Sequence, residues 1–234
     1  MKSVVIGEIT IGAIVADDFR AATIFERHGI DFCCGGKRPI ADACVEQGLD
    51  VDQLVTRLQA ATLTADGERN WQMAPLGELV AHIQERFHEP LREELPRLTA
   101  MMAKVVSRHG DHLPDTLQPL QATLAALRDE LVEHMAKEDE VLFPAIVAAE
   151  AGQAASSSWI SQPIATMEAE HDQAGQALDR MRELTAGYTP PEWACPTFRG
   201  LYFGLAELER DMHLHVHLEN NILFPRAASM VEAG

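Results

Sequence analysis

Aromatic residues make up only 6% of this 234-residue chain, basic residues number 19 against 36 acidic ones, and no stretch is apolar for long enough to span a bilayer. The formal charge of −17 argues against a phosphate backbone or an anionic membrane surface as natural partner. Nucleic acid and membrane are therefore set aside. Four cysteines, Cys33, Cys34, Cys44 and Cys195, lack the spacing of a zinc ribbon or of a secreted disulfide framework, which fits a reducing cytoplasm. The opening residues to Val15 are apolar, but Glu8 interrupts them and Asp17 and Asp18 stand where small residues would be needed for cleavage, so they read as mature protein. No convincing alternation of apolar and polar residues marks a strand. With 47% hydrophobic content the chain is not disordered and can bury a substantial core.

What is present is a repeat. His134 and Glu138 run into Val141, Leu142, Phe143 and Pro144; His215 and Glu219 run into Ile222, Leu223, Phe224 and Pro225. Each copy sets an imidazole and a carboxylate four residues apart, on one face of a helix. That face is otherwise apolar. Ahead of the first pair come Leu120, Leu124, Leu127 and Leu131, with Val141 beyond it; ahead of the second come Leu201, Leu205, Leu208 and Met212, with Ile222 beyond. A carboxylate in such a place is costly unless paired or bound to a cation, and here it occurs twice beside an imidazole. A bound metal is the simplest remedy. One such pair alone would more readily be a hydrogen-bonded core couple.

Turn residues divide the chain. Polar or Gly/Pro-containing stretches at 62–70, 108–116, 150–158 and 187–191 cut out five segments. Residues 1–65 read as a small helical domain, with helical patterns around 18–27 and 51–61 separated by the loop 29–37. The remaining segments, roughly 74–107, 116–149, 160–186 and 192–230, are long and periodic. The expected fold is all-α: a small N-terminal helical domain, then a four-helix bundle over 73–234.

The other two long helices offer ligands too. In the third, Ile164, Met167, His171, Ala174, Leu178 and Met181 form an inward stripe with His171 its only polar member. In the first, Leu76, Val80, Ile83 and Phe87 lead to Leu91, Leu95, Leu98 and Met102, with His88 at the stripe's edge; His82, between Glu85 and Glu89, lies on a more polar side. His88 is preferred. His213 and His217 are turned about 160° from His215 by helical geometry and read as bystanders. Glu170 and Asp172 flank His171, and a role for them as outer partners of the site is the weaker reading. The run Glu207 to Asp211 reads as solvent-facing, Cys44 as packed in the small domain and Cys195 as an apolar filler.

Four imidazoles and two carboxylates are more than one metal needs; two metals could share them, both carboxylates bridging and a solvent-derived oxygen filling the gap. Glu85 with His88 and Glu168 with His171 also satisfy the E-x-x-H text of ferritin-like di-iron sites. Here, however, the inward carboxylates lie on the helices that carry an inward His, and the imidazole-rich set is similar to hemerythrin. The chain as a whole resembles the repair-of-iron-centres family. The resemblance rests on Asp31 to Lys37 with its Cys33-Cys34-Gly35-Gly36 run, Trp71 through Leu76, His82 through His88, His134 to Pro144, Met167 to Gly175, Pro190 to Glu192, and Leu218 to Ala227. It implies a hemerythrin-like bundle with two non-haem irons ligated by His88, His134, His171 and His215 and bridged by Glu138 and Glu219. It also implies that Cys33 and Cys34 contribute to activity.

Cys33 and Cys34, as neighbours, are poorly placed to chelate one metal, and a disulfide between them would be strained. Lying just before a helix that begins near Pro39, with Lys37 and Arg38 close, they are expected to be partly ionised, nucleophilic or redox-active, or able to take iron transiently, although Asp31 works against this. The small domain is expected to dock this turn over the metal site. Three function classes stay open: repair of iron-sulfur clusters damaged by nitric oxide or oxidative stress, by iron donation or nitric oxide removal; enzymatic reduction of nitric oxide or peroxide; and sensing or binding of a diatomic gas. Iron-sulfur proteins are the expected clients, nitric oxide or oxygen species the small ligands, and a homodimer is conceivable. Reactive thiols argue against simple gas storage.

Overall fold

The computed structural model describes residues 8–62, 70–153 and 160–232. The residues before position 8, Asp66 and Gly67 of the first linker, and part of the 150–158 stretch lie outside them. Among the described residues the fold is helical throughout, with one isolated bridge between Thr10 and Pro39.

Four short helices form the N-terminal unit: α1 (Ile11–Asp17), α2 (Arg20–Arg27), α3 (Ile40–Gln47) and α4 (Val51–Thr62). α1 begins where the Thr10 hydroxyl accepts from Ala13 N at 3.3 Å, an ordinary N-cap. α3 follows Pro39 and ends on Gly48, whose φ of 64° supplies the left-handed residue that closes a helix. Neither α1 nor most of α3 was visible as a period in the sequence.

The bundle consists of α5 (Leu76–Ile83) continuing into α6 (Glu89–His109), α7 (Pro114–Lys137) into α8 (Phe143–Glu150), α9 (Ser161–Leu184), and α10 (Pro196–Leu218) into α11 (Phe224–Glu232). Three of these four rods are interrupted by a π turn: Gln84–His88, Glu138–Leu142 and Glu219–Leu223. Each ends two residues before a proline: Pro90, Pro144 and Pro225. Proline offers no N–H to the carbonyl four residues back, and its ring pushes that carbonyl away; those carbonyls belong to Arg86, Glu140 and Asn221, inside the three π turns. Proline alone does not impose such a turn, since Pro96 and Pro119 lie within the uninterrupted α6 and α7; α9 has no interruption.

The extra residue in each π turn resets the buried face. Phe87 and His88 are both buried although adjacent, which explains why His88 stood at the edge of the α5–α6 stripe. It also overturns one expectation: Val141 is 54% exposed, and Leu142 and Phe143 take the inward places. The other stripe positions, including Ile222, are buried as expected. Two further expectations change. Glu209 is buried, accepting from Arg182 Nε at 3.0 Å, and the neighbouring Tyr188 hydroxyl is pushed above the usual tyrosine range by burial and by the charge of Glu209. Cys195 is only partly buried, whereas Cys44 is fully enclosed in the small domain.

The bundle core falls into two apolar halves. Phe87, Leu142, Phe143, Met167, Leu218 and Phe224 belong to one, and Leu91, Leu131, Ala174 and Met212 to the other, which is continuous with the core of the N-terminal unit. Between them lies a buried polar layer. The N-terminal unit is pinned against its flank: Asn221 Nδ2 donates to Cys33 O at 3.0 Å, His217 Nδ1 donates to Phe32 O at 3.3 Å, and Lys37 Nζ meets Glu168 Oε1 at 2.7 Å. His217 is therefore not a ligand, yet it is no bystander to the architecture. Gly36 permits the close approach, since a Cβ there would lie 2.4 Å from Asn221 Oδ1 and 2.6 Å from Phe32 O.

Candidate metal centre

The polar layer holds all six residues that the sequence singled out for metal. His134 and His215 lie in the last turns of α7 and α10, Glu138 and Glu219 open the following π turns, His88 closes the first π turn, and His171 sits in mid-α9. Five of the six are 0 or 1% exposed and His134 is 3% exposed, so water does not compensate their polar atoms.

Two donor groups emerge, each with atoms within 4.8 Å of one another: His88, His215, Glu138 and Glu219, and His134, His171, Glu138 and Glu219. Both carboxylates belong to both groups. In the first, His88 Nε2 is 3.1 Å from His215 Nε2 and 3.4 Å from Glu138 Oε2, while His215 Nε2 is 3.0 Å from Glu219 Oε1. In the second, His134 Nε2 is 3.0 Å from His171 Nε2 and 3.3 Å from Glu138 Oε2, while His171 Nε2 is 3.0 Å from Glu219 Oε2. Donors about 2.1 Å from one cation at right angles to each other stand about 3.0 Å apart, so these separations are edges of a coordination polyhedron.

Three imidazoles are held from outside the layer. His88 Nδ1 donates to Asp139 Oδ1 at 3.0 Å, His134 Nδ1 to Glu170 Oε2 at 2.9 Å, and His171 Nδ1 to Asn220 Oδ1 at 2.8 Å. Those bonds put the proton on Nδ1 of the neutral ring and leave the Nε2 lone pair facing inward, as a metal ligand requires. Asp139 is itself steadied by Gln84 Nε2 at 2.8 Å and by Arg92, and Glu170 by Lys137 Nζ at 2.7 Å. The sequence reading missed Asp139 and Asn220 and undervalued Glu170. A signal existed: Asp139 and Asn220 occupy the same place in the repeat, directly after each buried Glu.

The two phenylalanines of the repeat, and Phe87, also have a place. Phe143 stacks on His88 with ring centroids 5.6 Å apart, Phe224 on His171 at 6.0 Å, and Phe87 on His215 at 5.3 Å. These rings close the layer toward the apolar half. His134 and His171 border a cavity of about 260 Å³ lined also by Glu130, Lys137, Glu170 and Ala174. The rejected His82 stacks on Trp71, centroids 4.4 Å apart.

Charge inside the layer is unsettled without a cation. Both oxygens of Glu138, Oε2 of Glu219 and Nδ1 of His215 are buried and receive no hydrogen bond. Burial disfavours ionisation of His88 and His134, but Asp139 and Glu138 around the first, and Glu138 and Glu219 around the second, outweigh it and raise both to about 9. Burial pushes the carboxyls of Glu138 and Glu219 up, and for Glu138 so does the charge of Glu219; the imidazoles win, holding Glu138 low and Glu219 well below the usual range. Burial prevails at His215, which is pushed down. The carboxylates are thus anionic and draw protons onto imidazoles, a role that metal cations fill without leaving lone pairs opposed. The donor set fits a pair of cations.

Cys33 and Cys34 are not part of this layer. They lie in a turn wound around Asp31, whose Oδ1 accepts from the backbone N–H groups of Cys33 and Cys34 at 2.9 and 3.0 Å and whose Oδ2 accepts from Gly35 N at 2.8 Å. The turn rests against α9, with Cys34 Sγ 3.8 Å from where a Cβ on Gly175 would be. The expected activation of the thiols does not occur at Cys33: the adjacent Cys34, burial and Asp31 push it well above the ordinary thiol range. The nearby cations are turned elsewhere, Lys37 to Glu168 and Arg38 to Glu46.

Residues 79–227 match the hemerythrin HHE cation binding domain, and residues 7–62 match a domain of unknown function, DUF542. The chain is 44% identical over 218 residues to the iron-sulfur cluster repair protein YtfE of Yersinia pseudotuberculosis serotype O:1b (strain IP 31758), covering 93% of this chain and 96% of that one. It is 43% identical, with the same coverage, to the YtfE of Yersinia pestis (strain Pestoides F). No helix among the described residues is long and apolar enough to cross a membrane.

Proposed function

The chain belongs to the hemerythrin-like iron-sulfur cluster repair family, and from that premise we propose that it restores iron-sulfur clusters damaged by nitric oxide or oxidants through a centre of two iron ions. His88 and His215 would hold one iron, His134 and His171 the other, with Glu138 and Glu219 shared between them. The observation that carries this reading is the membership of both buried carboxylates in both histidine pairs. A single-metal site has no use for the second pair. Bound there, the irons would supply a redox change and an exchangeable position for a small oxygen- or nitrogen-containing ligand.

The chain's own residues set the terms of that chemistry. Asp139, Glu170 and Asn220 fix three rings with Nε2 inward, so the ligands need no rearrangement to bind. Phe87, Phe143 and Phe224 keep water from the apolar side, and the cavity beside His134 and His171 leaves a way in for a small ligand. The π turns contribute to this arrangement, since Phe87 and His88 are both buried although adjacent. In this reading the small domain comprises residues 1–65 and the bundle residues 73–234, the cysteine pair of the first contributing to activity. Four free thiols suit a cytoplasmic setting, where iron-sulfur clients reside.

The test uses anaerobically purified protein loaded with isotopically labelled iron, added to a dehydratase whose cluster nitric oxide has inactivated. Recovered activity with label in the client supports repair by iron donation, and recovery without label supports repair by nitric oxide removal. No recovery contradicts the reading.

A further inference from the structure

The cysteine turn has a geometry that neither the bundle nor its docking explains. Cys33 Sγ and Cys34 Sγ stand 4.0 Å apart, and Cys33 Sγ is 3.2 Å from Asp31 Oδ1. A disulfide would need the sulfurs at about 2.05 Å and would strain the peptide between adjacent residues. Two thiolates bound tetrahedrally to one cation at about 2.3 Å, by contrast, lie about 3.8 Å apart. The three donor atoms of Asp31, Cys33 and Cys34 all fall within 4.8 Å of one another, a grouping separate from both in the bundle. Neighbouring cysteines are ordinarily poorly placed for chelation, but in this turn, wound around Asp31, the two sulfurs lie within 4.0 Å of each other.

The surroundings suit a cation. The turn forms one wall of a cavity of about 380 Å³ whose lining includes Glu26, Asp172 and Asp179, with Gly175 opposite Cys34. The two basic members, Arg182 and His213, are turned to Glu209 at 3.0 Å and to Glu26 at 3.8 Å. A Cβ at Gly175 would stand 3.8 Å from Cys34 Sγ, in van der Waals contact, so the bare glycine leaves the sulfur the more open. Two soft sulfurs and one carboxylate select a thiophilic divalent ion over magnesium or calcium.

We propose that Asp31, Cys33 and Cys34 form a second metal site, distinct from the His/Glu centre, that takes one thiophilic divalent cation through the acidic cavity, ferrous iron being its cargo in the cell. The inference rests on the reading of the protein as an iron-handling repair factor and deepens it. Binding forms two metal–sulfur bonds and one metal–oxygen bond, releases the two thiol protons to solvent, and changes no oxidation state. With only three donors from the chain and a cavity beside them, the ion is held loosely, as befits a cation in transit. Glu168 and Gly175, two α9 residues beside the small domain, flank His171 by three and four positions, which sets this site about one helical turn along α9 from a bundle ligand.

Cadmium is the probe. Added anaerobically to the full-length, iron-loaded protein, Cd²⁺ is expected to bind with thiolate-to-cadmium charge-transfer absorbance while bundle iron stays in place, and to slow alkylation of the cysteine pair at least about tenfold. Cys33→Ser with Cys34→Ser abolishes the absorbance and leaves bundle iron unchanged, which also reports on folding. Cys34→Ser alone weakens Cd²⁺ binding at least about tenfold. No thiolate absorbance in the unaltered protein overturns the proposal. So does absorbance that persists in the double variant, which would place the ion on Cys44 or Cys195, or uptake of Cd²⁺ matched by loss of bundle iron. None of these failures touches the repair assay, which tests the function separately.

Discussion

His134 Nε2 and His171 Nε2 face each other at 3.0 Å in the bundle interior, and each ring already donates its Nδ1 proton outward, to Glu170 and Asn220. Two neutral rings so arranged oppose their lone pairs. Either a proton or a cation must lie between them, and the anionic Glu138 and Glu219 on both sides call for positive charge. His88 Nε2 and His215 Nε2 likewise face each other at 3.1 Å, although of these two only His88 donates its Nδ1 proton outward, to Asp139.

Because Glu219 serves both histidine pairs and His88 only one, their removal should differ in kind. Glu219→Ala is expected to deplete both irons, leaving well under half of the iron of the unaltered chain, whereas His88→Ala should spare the His134 and His171 side and lose about half. Iron analysis on matched preparations checks this. Equal losses in the two variants would mean the carboxylate is not shared.

Asp139 touches no donor atom of the layer except through His88 Nδ1. Asp139→Asn keeps the shape but removes the charge that holds the ring, and iron affinity measured by chelator competition is expected to fall about 10–100-fold. Helical content should not change.

The bundle was legible because its stripes are long. Leu120 to Leu131 and Leu201 to Met212 repeat over several turns, and each leads to a His and a Glu on the same face. His171 stood out as the one polar member of an apolar stripe. What escaped was set by geometry that a fixed period cannot express. The π turns moved Val141 out and Phe143 in, and the one residue that each adds is a break in register that a fixed hydrophobic period cannot show. His217 and Glu209 escaped for another reason: their partners, Phe32 and Arg182, come from distant parts of the chain. Asp139 and Asn220 were legible in principle, since aligning the two repeats puts them together.

Docking of the small domain depends on the bare backbone at Gly36. Gly36→Ala is expected to destabilise that contact by about 1–3 kcal/mol, because the new methyl group meets the Asn221 side chain and the Phe32 carbonyl. Hydrogen exchange across residues 8–62 should quicken while bundle iron content holds. Unchanged protection would show that the interface does not rely on this approach.

Cys33 provides a pH signature. Its thiol is raised by Cys34, burial and Asp31, so it is protonated at neutral pH, and the thiolate fraction grows only as pH passes above the ordinary thiol range. Iodoacetamide labelling of Cys33 in protein free of added metal, followed by mass spectrometry, should therefore still be accelerating above pH 9, near which an unperturbed thiol is already levelling off. A plateau near neutral pH would mean an activated thiolate.

Iron quantification joined to Mössbauer spectroscopy on the full-length protein, purified anaerobically from iron-replete cells, addresses the central claim most directly. The account predicts two irons per chain behaving as one magnetically coupled pair, with the coupling lost in Glu219→Ala. A single isolated iron, or a chain that holds none, would contradict it.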